Sequence, residues 1–282
     1  MFNKDAVMDV DPIKAEQELN LLRYNRALAR RSFIKNIGMA GAGVAAGAML
    51  VGCGTGSTTN AQGTTVPQTD VLNFALNLEY LEAEFYSMAV TGAALGSSVT
   101  GAASTATGGA KVTFSDSRVA DIAAEISADE TLHVKFLRSA LGTSAVAEPV
   151  INLNALGIGF ASQAQFLTLA RAFEDTGVSA YAGAATLLTG NNLQAAAQIL
   201  AVEAYHAGNI RLYVVQDSIT VPATDSNDVP PTEQHFFPTD SNALAIKRTT
   251  SQVLSIVYAN SAAGTKSGGF YPNGVNGNIN TV

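Results

Sequence analysis

Glu203-Ala204-Tyr205-His206 and Glu130-Thr131-Leu132-His133 are two copies of one pattern, a glutamate followed three residues later by a histidine. Each lies in a long apolar, Ala-rich run. The chain has three histidines, and two of them carry this partner. On a helix, residues three apart share a face, so each pair aims a carboxylate and an imidazole at one point. Such groups converging in an apolar setting are costly unless something compensates, and a metal ion is the usual compensation. A metal site of this kind inside a bundle needs further ligands from facing helices.

Working outward from the two pairs, the heptad-like spacing of apolar residues predicts four long helices. The first spans Asp70 to Val90, with Thr69 or Asp70 as its cap, and its inward stripe is Leu72, Ala75, Leu76, Glu79, Glu82, Ala83 and Tyr86. Asn73, Asn77, Tyr80, Glu84 and Ser87 spread over its other faces. The second runs from about Asp116 to Leu141 through Glu130 and His133, and Gly142 ends it. The third starts after a capping Ser162 and reaches about Leu188, with Glu174, Val178 and Tyr181 on its stripe. Thr189 to Asn192 reads as a short turn. The fourth helix, Leu193 to Val215, then returns antiparallel through Glu203 and His206.

The four helices repeat. Glu79 precedes Tyr86 by seven, and Glu174 precedes Tyr181 by seven, while the second and fourth helices each carry the Glu-x-x-His pair. The order is that of the carboxylate-bridged two-metal centre of four-helix bundles. On this six-residue set, over residues ~70–215, the chain resembles the ferritin-like superfamily. LNFALNLEYLEAEFY (72–86) and GGFYPNGVNGNI (268–279) resemble, more narrowly, the desiccation-related ferritin-like proteins of bacteria and plants. The resemblance implies an all-α fold, a ferritin-like antiparallel four-helix bundle with a short extra C-terminal helix and an irregular tail. It also implies that Glu79 and His133 serve one metal and Glu174 and His206 the other, with Glu130 and Glu203 bridging. The ions expected are two Fe or two Mn, with Zn compatible with the same donors. Glu82, one turn beyond Glu79, is an alternate ligand, a neighbouring base or a hydrogen-bond partner; Glu79 is favoured because its offset to Tyr86 recurs at Glu174. Tyr86, Tyr181 and Tyr205 are expected as core aromatics with satisfied hydroxyls, and His235 as a loop residue.

Composition narrows the classes. The 282 residues are 47% hydrophobic and 14% charged, and the formal charge of −7 argues against nucleic-acid binding. A single cysteine excludes an internal disulfide and a Cys-based zinc site. Without a Cys-x-x-Cys pair the chain lacks the rubredoxin-like module of rubrerythrins.

Ahead of the bundle, Arg30-Arg31-Ser32-Phe33 precedes a Gly/Ala-rich apolar run from Ile37 to Gly52, the layout of a twin-arginine export signal. Leu50-Val51-Gly52-Cys53 resembles a lipobox, so residues 1–52 are expected to be a signal peptide and Cys53 a lipidated membrane anchor, giving a periplasmic or cell-envelope protein. Residues 53–69 read as a flexible tether. Residues 70–216 are then the bundle and 217–282 a C-terminal wrap, with a short helix from Thr249 to Asn260. The long Gly/Ser/Thr-rich stretch 91–113 has no assigned role.

Two functional expectations follow. One is an exported protein with a dinuclear Fe or Mn centre, an oxidoreductase acting on dioxygen or peroxide if it turns over. The other is a non-enzymatic desiccation- or stress-protective protein whose metal site is stabilising or vestigial. A second copy of the chain is a candidate partner, while an iron-storage shell fits a tethered N-terminus and bulky tail poorly.

Overall fold

The computed structural model describes residues 57–59 and 65–282; the paired arginines and Cys53 lie outside them. A short strand β1 (Ser57–Thr59) pairs antiparallel with β2 (Thr65–Pro67), so part of the stretch expected to be a free tether is hydrogen-bonded. Four long helices follow, α1 (Gln68–Thr91), α2 (Ser117–Leu141), α3 (Gln163–Ala184) and α4 (Gly190–Gln216), then a short α5 (Thr250–Val257). The start of α1 lies beside the end of α2: Asn73 bonds Ser144, just past α2, while Glu79, farther along α1, meets His133, farther back along α2. In the same way Gln163 bonds Asp217 while Asp175 bonds Arg211 across α3 and α4. The molecule is an all-α antiparallel bundle of two helix pairs. Contacts within each pair are dense and those between pairs sparser.

The helix ends follow local chemistry, with two corrections. Ser162 accepts a backbone N–H at the start of α3, as expected, and Asp116 does the same at the start of α2. The first helix, however, begins at Gln68 after Pro67, with no side-chain cap, rather than at Thr69 or Asp70. The turn between α3 and α4 also comes earlier than expected. The last α3 turn tightens into a 3₁₀ turn at Ala185–Leu187, and α4 starts at Gly190. Gly92 closes α1 at φ 79°, a left-handed conformation suited to glycine.

The larger surprise is α1. Asn73, Asn77, Glu84 and Ser87, assigned to outer faces by periodicity, are all buried, and so is Tyr80. Distant segments cover them. Asn77 exchanges hydrogen bonds with the backbone of Asn276, and Tyr271 donates its hydroxyl to the Asn77 carbonyl at 2.6 Å. Phe270, Tyr271 and Val275 are buried beside it, so the Gly/Asn-rich tail packs on the bundle. A helix buried all round must be apolar or fully bonded all round, and α1 combines the two.

Glu84 ties down the 91–113 stretch, which contains a single helical turn at Ser97–Thr100. Its carboxyl accepts from Leu95 N and from Ser104 Oγ at 2.6 Å, and Glu148 beside it accepts from Thr105 N at 2.7 Å. Burial, reinforced by Glu148, pushes the Glu84 carboxyl up to about 8.

The segment after α4 is fastened by buried charge. Arg211 donates to Asp175 at 2.6 Å and to the Val229 and Phe236 carbonyls, while Arg171 pairs with Asp175 and Asp228. Arg248 pairs with Asp225 and donates to Ser179.

Truncating one member of such a network leaves an uncompensated buried charge. Arg211→Leu should therefore lower stability by about 3–5 kcal/mol in chemical denaturation, with partial recovery in the Arg211→Leu/Asp175→Asn double variant. The Glu84 pair predicts a pH effect. A carboxyl that stays protonated in the fold up to about 8 contributes stability that is complete below its ordinary value near 4.5 and declines as pH rises to about 8. Glu84→Gln should remove that part of the decline, seen as a melting-temperature difference from wild type that changes between those two pH values. A constant difference would contradict it.

Candidate metal centre

All six residues singled out in the sequence converge inside the bundle, one or two from each long helix. Glu79, Glu130, Glu174 and Glu203 have no exposed surface, and His133 and His206 are buried. Ligand atoms of Glu79, Glu130, His133 and Glu203 lie within 4.8 Å of one another, and so do those of Glu130, Glu174, Glu203 and His206. The two groups share Glu130 and Glu203. Glu130 spans them directly: its Oε2 is 3.2 Å from His133 Nδ1, and its Oε1 is 2.9 Å from His206 Nδ1. Glu79 Oε2 approaches His133 Nδ1 at 3.2 Å and Glu174 Oε2 approaches His206 Nδ1 at 3.4 Å, one on each side.

The fit of this cluster to cations can be judged from its own atoms. Glu203 Oε2 is buried with neither a hydrogen bond nor an ion pair, while Glu130 Oε1, Glu174 Oε2, Glu203 Oε1 and His206 Nδ1 meet their neighbours as ion pairs without hydrogen-bond geometry. Buried polar atoms are rarely left so, and here they face a common centre. Carboxylate oxygens with two imidazole nitrogens are donors that suit Fe, Mn or Zn. In the protein by itself, protons do part of the neutralising. Burial pushes both imidazoles down, but the carboxylates around them override it and hold both well above the ordinary range. Burial pushes Glu79 up to about 7 against the pull of His133, and raises Glu174 and Glu203. Glu130 goes the other way: the two imidazoles outweigh its burial and hold it well below the usual carboxylate range.

The repeated Glu and Tyr at an offset of seven turn out to be crossed. Tyr86 on α1 donates to Glu174 on α3 at 2.5 Å, and Tyr181 on α3 donates to Glu79 on α1. Each terminal carboxylate is thus oriented by the tyrosine of the other helix pair. Both tyrosines are buried with bonded hydroxyls, as expected. Tyr205 is not; it is 69% exposed, because it sits on α4 between the inward positions of Glu203 and His206. His235 lies on an exposed turn.

Two further residues were not found by sequence reasoning. Gly177 occupies the place on α3 that Glu82 occupies on α1, three residues beyond the terminal glutamate. A methyl group there would lie 2.5 Å from Glu203 Oε2 and 3.1 Å from Glu82 Oε1. A mid-helix glycine costs about 1 kcal/mol relative to alanine, and here it leaves room for two carboxyl groups. Glu82 is buried, and burial together with the Glu203 charge raises it well above the usual carboxylate range. Asp129, just before Glu130, reaches His206 Nε2 at 3.4 Å from outside the cluster. Only the immediate neighbourhood of the Glu-x-x-His pair could have suggested it.

A search of curated proteins found no match. Over residues 67–216 the sequence matches the family model of the ferritin-like domain, a span that begins one residue before α1 and ends with α4. Since that match takes in more than half of the chain, and the bundle and its buried Glu/His cluster lie within it, the chain belongs to the ferritin-like domain family.

Proposed function

We propose that the cluster holds two divalent ions, iron or manganese, in a carboxylate-bridged pair. Glu79 and His133 are ligands on one side, Glu174 and His206 on the other, and Glu130 and Glu203 lie between. The observation that carries this reading is the span of Glu130, one oxygen toward each imidazole. Charge supports it as well, since four carboxylates balance two divalent ions and leave a nearly neutral core. Such a pair, when bound, supplies redox chemistry toward dioxygen or peroxide. The chain's own part is to hold the donors in place through the crossed tyrosines and to keep the site buried.

A second reading has its own support. The cluster draws on all four long helices, where the two helix pairs otherwise touch sparsely. Metal there would join the pairs, so a structural, protective role without turnover follows naturally, in keeping with the desiccation-related resemblance. The proposal also includes export with lipidation at Cys53, supported by the order of basic, apolar and small residues before it. Among the described residues no helix is long and apolar enough to cross a membrane.

Protein purified from cells supplied with both metals should contain about two ions per chain by elemental analysis, and Glu130→Ala should retain less than about one. Metal-free wild type under those conditions would rule the reading out. Turnover of peroxide or dioxygen by the loaded protein selects the enzymatic form; no turnover, with a lower melting temperature after chelation, selects the structural one. Cells fed a labelled fatty acid should incorporate it into the wild type and not into Cys53→Ser, and an unlabelled membrane-free wild type would refute the anchor.

A further inference from the structure

We infer that the two halves of the cluster are unequal, and that Asp129 makes the half built on His206 the tighter one. The inference rests on the two-ion reading above. Both imidazoles turn Nδ1 toward the cluster, which leaves Nε2 as the nitrogen that carries the outward proton. For His206 that nitrogen faces Asp129 Oδ2 at 3.4 Å. One stretch of α2 therefore supplies two carboxylates in sequence. Glu130 enters the cluster, and Asp129 stands behind the imidazole of the facing helix.

The repeat lacks this arrangement on the other side. The residue preceding Glu203 is Val202, whose side chain has no acceptor. Among the described residues His133 pairs with carboxylates through Nδ1 only. The ligand types are the same in both halves: Glu79 and Glu174 are each held by a crossed tyrosine, and Glu130 and Glu203 belong to both groups, Glu130 lying nearer His206 and Glu203 nearer His133. The Glu82/Gly177 difference falls against Glu203, which is shared. Asp129 is what separates them.

A carboxylate behind a ligating imidazole selects the tautomer with its lone pair toward the metal, holds the ring plane and raises its basicity. Losing such a partner typically weakens metal binding by about 10- to 100-fold. Asp129 is a positioning residue, and its side chain is 31% exposed, so replacing it leaves the core intact.

The test is a titration of the metal-free full chain with Co2+ alone, followed by its visible absorption. Wild type should fill in two steps, the first tighter by about tenfold or more. Asp129→Ala should weaken the first step by about 10- to 100-fold and leave the second within about twofold; Asp129→Asn, which keeps an acceptor oxygen, should recover part of the loss. His206→Ala should abolish the tight step, while His133→Ala should keep it. Val202→Asp, if it folds, should tighten the second step. Two ions bound with one affinity, or Asp129→Ala weakening both steps alike, would overturn the inequality while leaving the two-ion reading in place. Wild type that takes up no Co2+ would instead overturn the two-ion reading itself.

Discussion

Four carboxylates with no exposed surface, beside two buried imidazoles inside an Ala-rich bundle, must be neutralised from within. Much of the architecture answers that single electrostatic constraint. Protons on His133 and His206 meet part of it in the protein alone, and the shared position of Glu130 suits a pair of cations. The tyrosine hydroxyls donate to the terminal carboxylates. Gly177 gives up helical stability so that Glu203 and Glu82 can face each other without a side chain between them. Removing the charge requirement would leave no reason for these residues to be where they are.

The same principle governs the surroundings at a distance from the cluster. Asp175 is a buried acid held by two arginines, Arg171 and Arg211, whose remaining donors reach the carbonyls and the Asp228 carboxylate of the segment after α4. Glu84 and Glu148 form a second buried acidic pair, which accepts from backbone N–H groups and hydroxyls of the 91–113 stretch. The irregular parts of the chain thus attach through polar anchors planted on the helices. That explains how stretches with little regular structure of their own remain packed against the bundle.

The inward stripes were legible in the sequence because helical periodicity is local. Glu79, Glu130, His133, Glu174, Glu203 and His206 each recur with their apolar neighbours at steps of three and four, and the cap Ser162 announces itself by residue type. What was illegible depends on contacts far apart in the chain. Asn77 looks like a surface residue until the tail, 199 positions away, bonds to it. Nothing near Arg211 marks it as buried, since its partners come from α3 and from the segment beyond α4. The offset of seven shared by Glu79/Tyr86 and Glu174/Tyr181 marks the repeat but not the partners, since the bonds run 88 and 102 positions across to the other helix. Tyr205 failed for the opposite reason: an aromatic beside two inward residues was assigned their direction, although the helical step turns it outward.

The crossed tyrosines also act as a register key. A slip of α1 along α3 by one residue, about 1.5 Å, would carry both hydroxyls away from their carboxylates together. The stacked and edge-on rings of Phe85, Tyr86, Phe166 and Phe173 fill the seam between α1 and α3, and the two polar contacts, pointing in opposite directions, fix its alignment. Shifting one helix pair against the other thus breaks both contacts at once, so the pairs dock in a single phase.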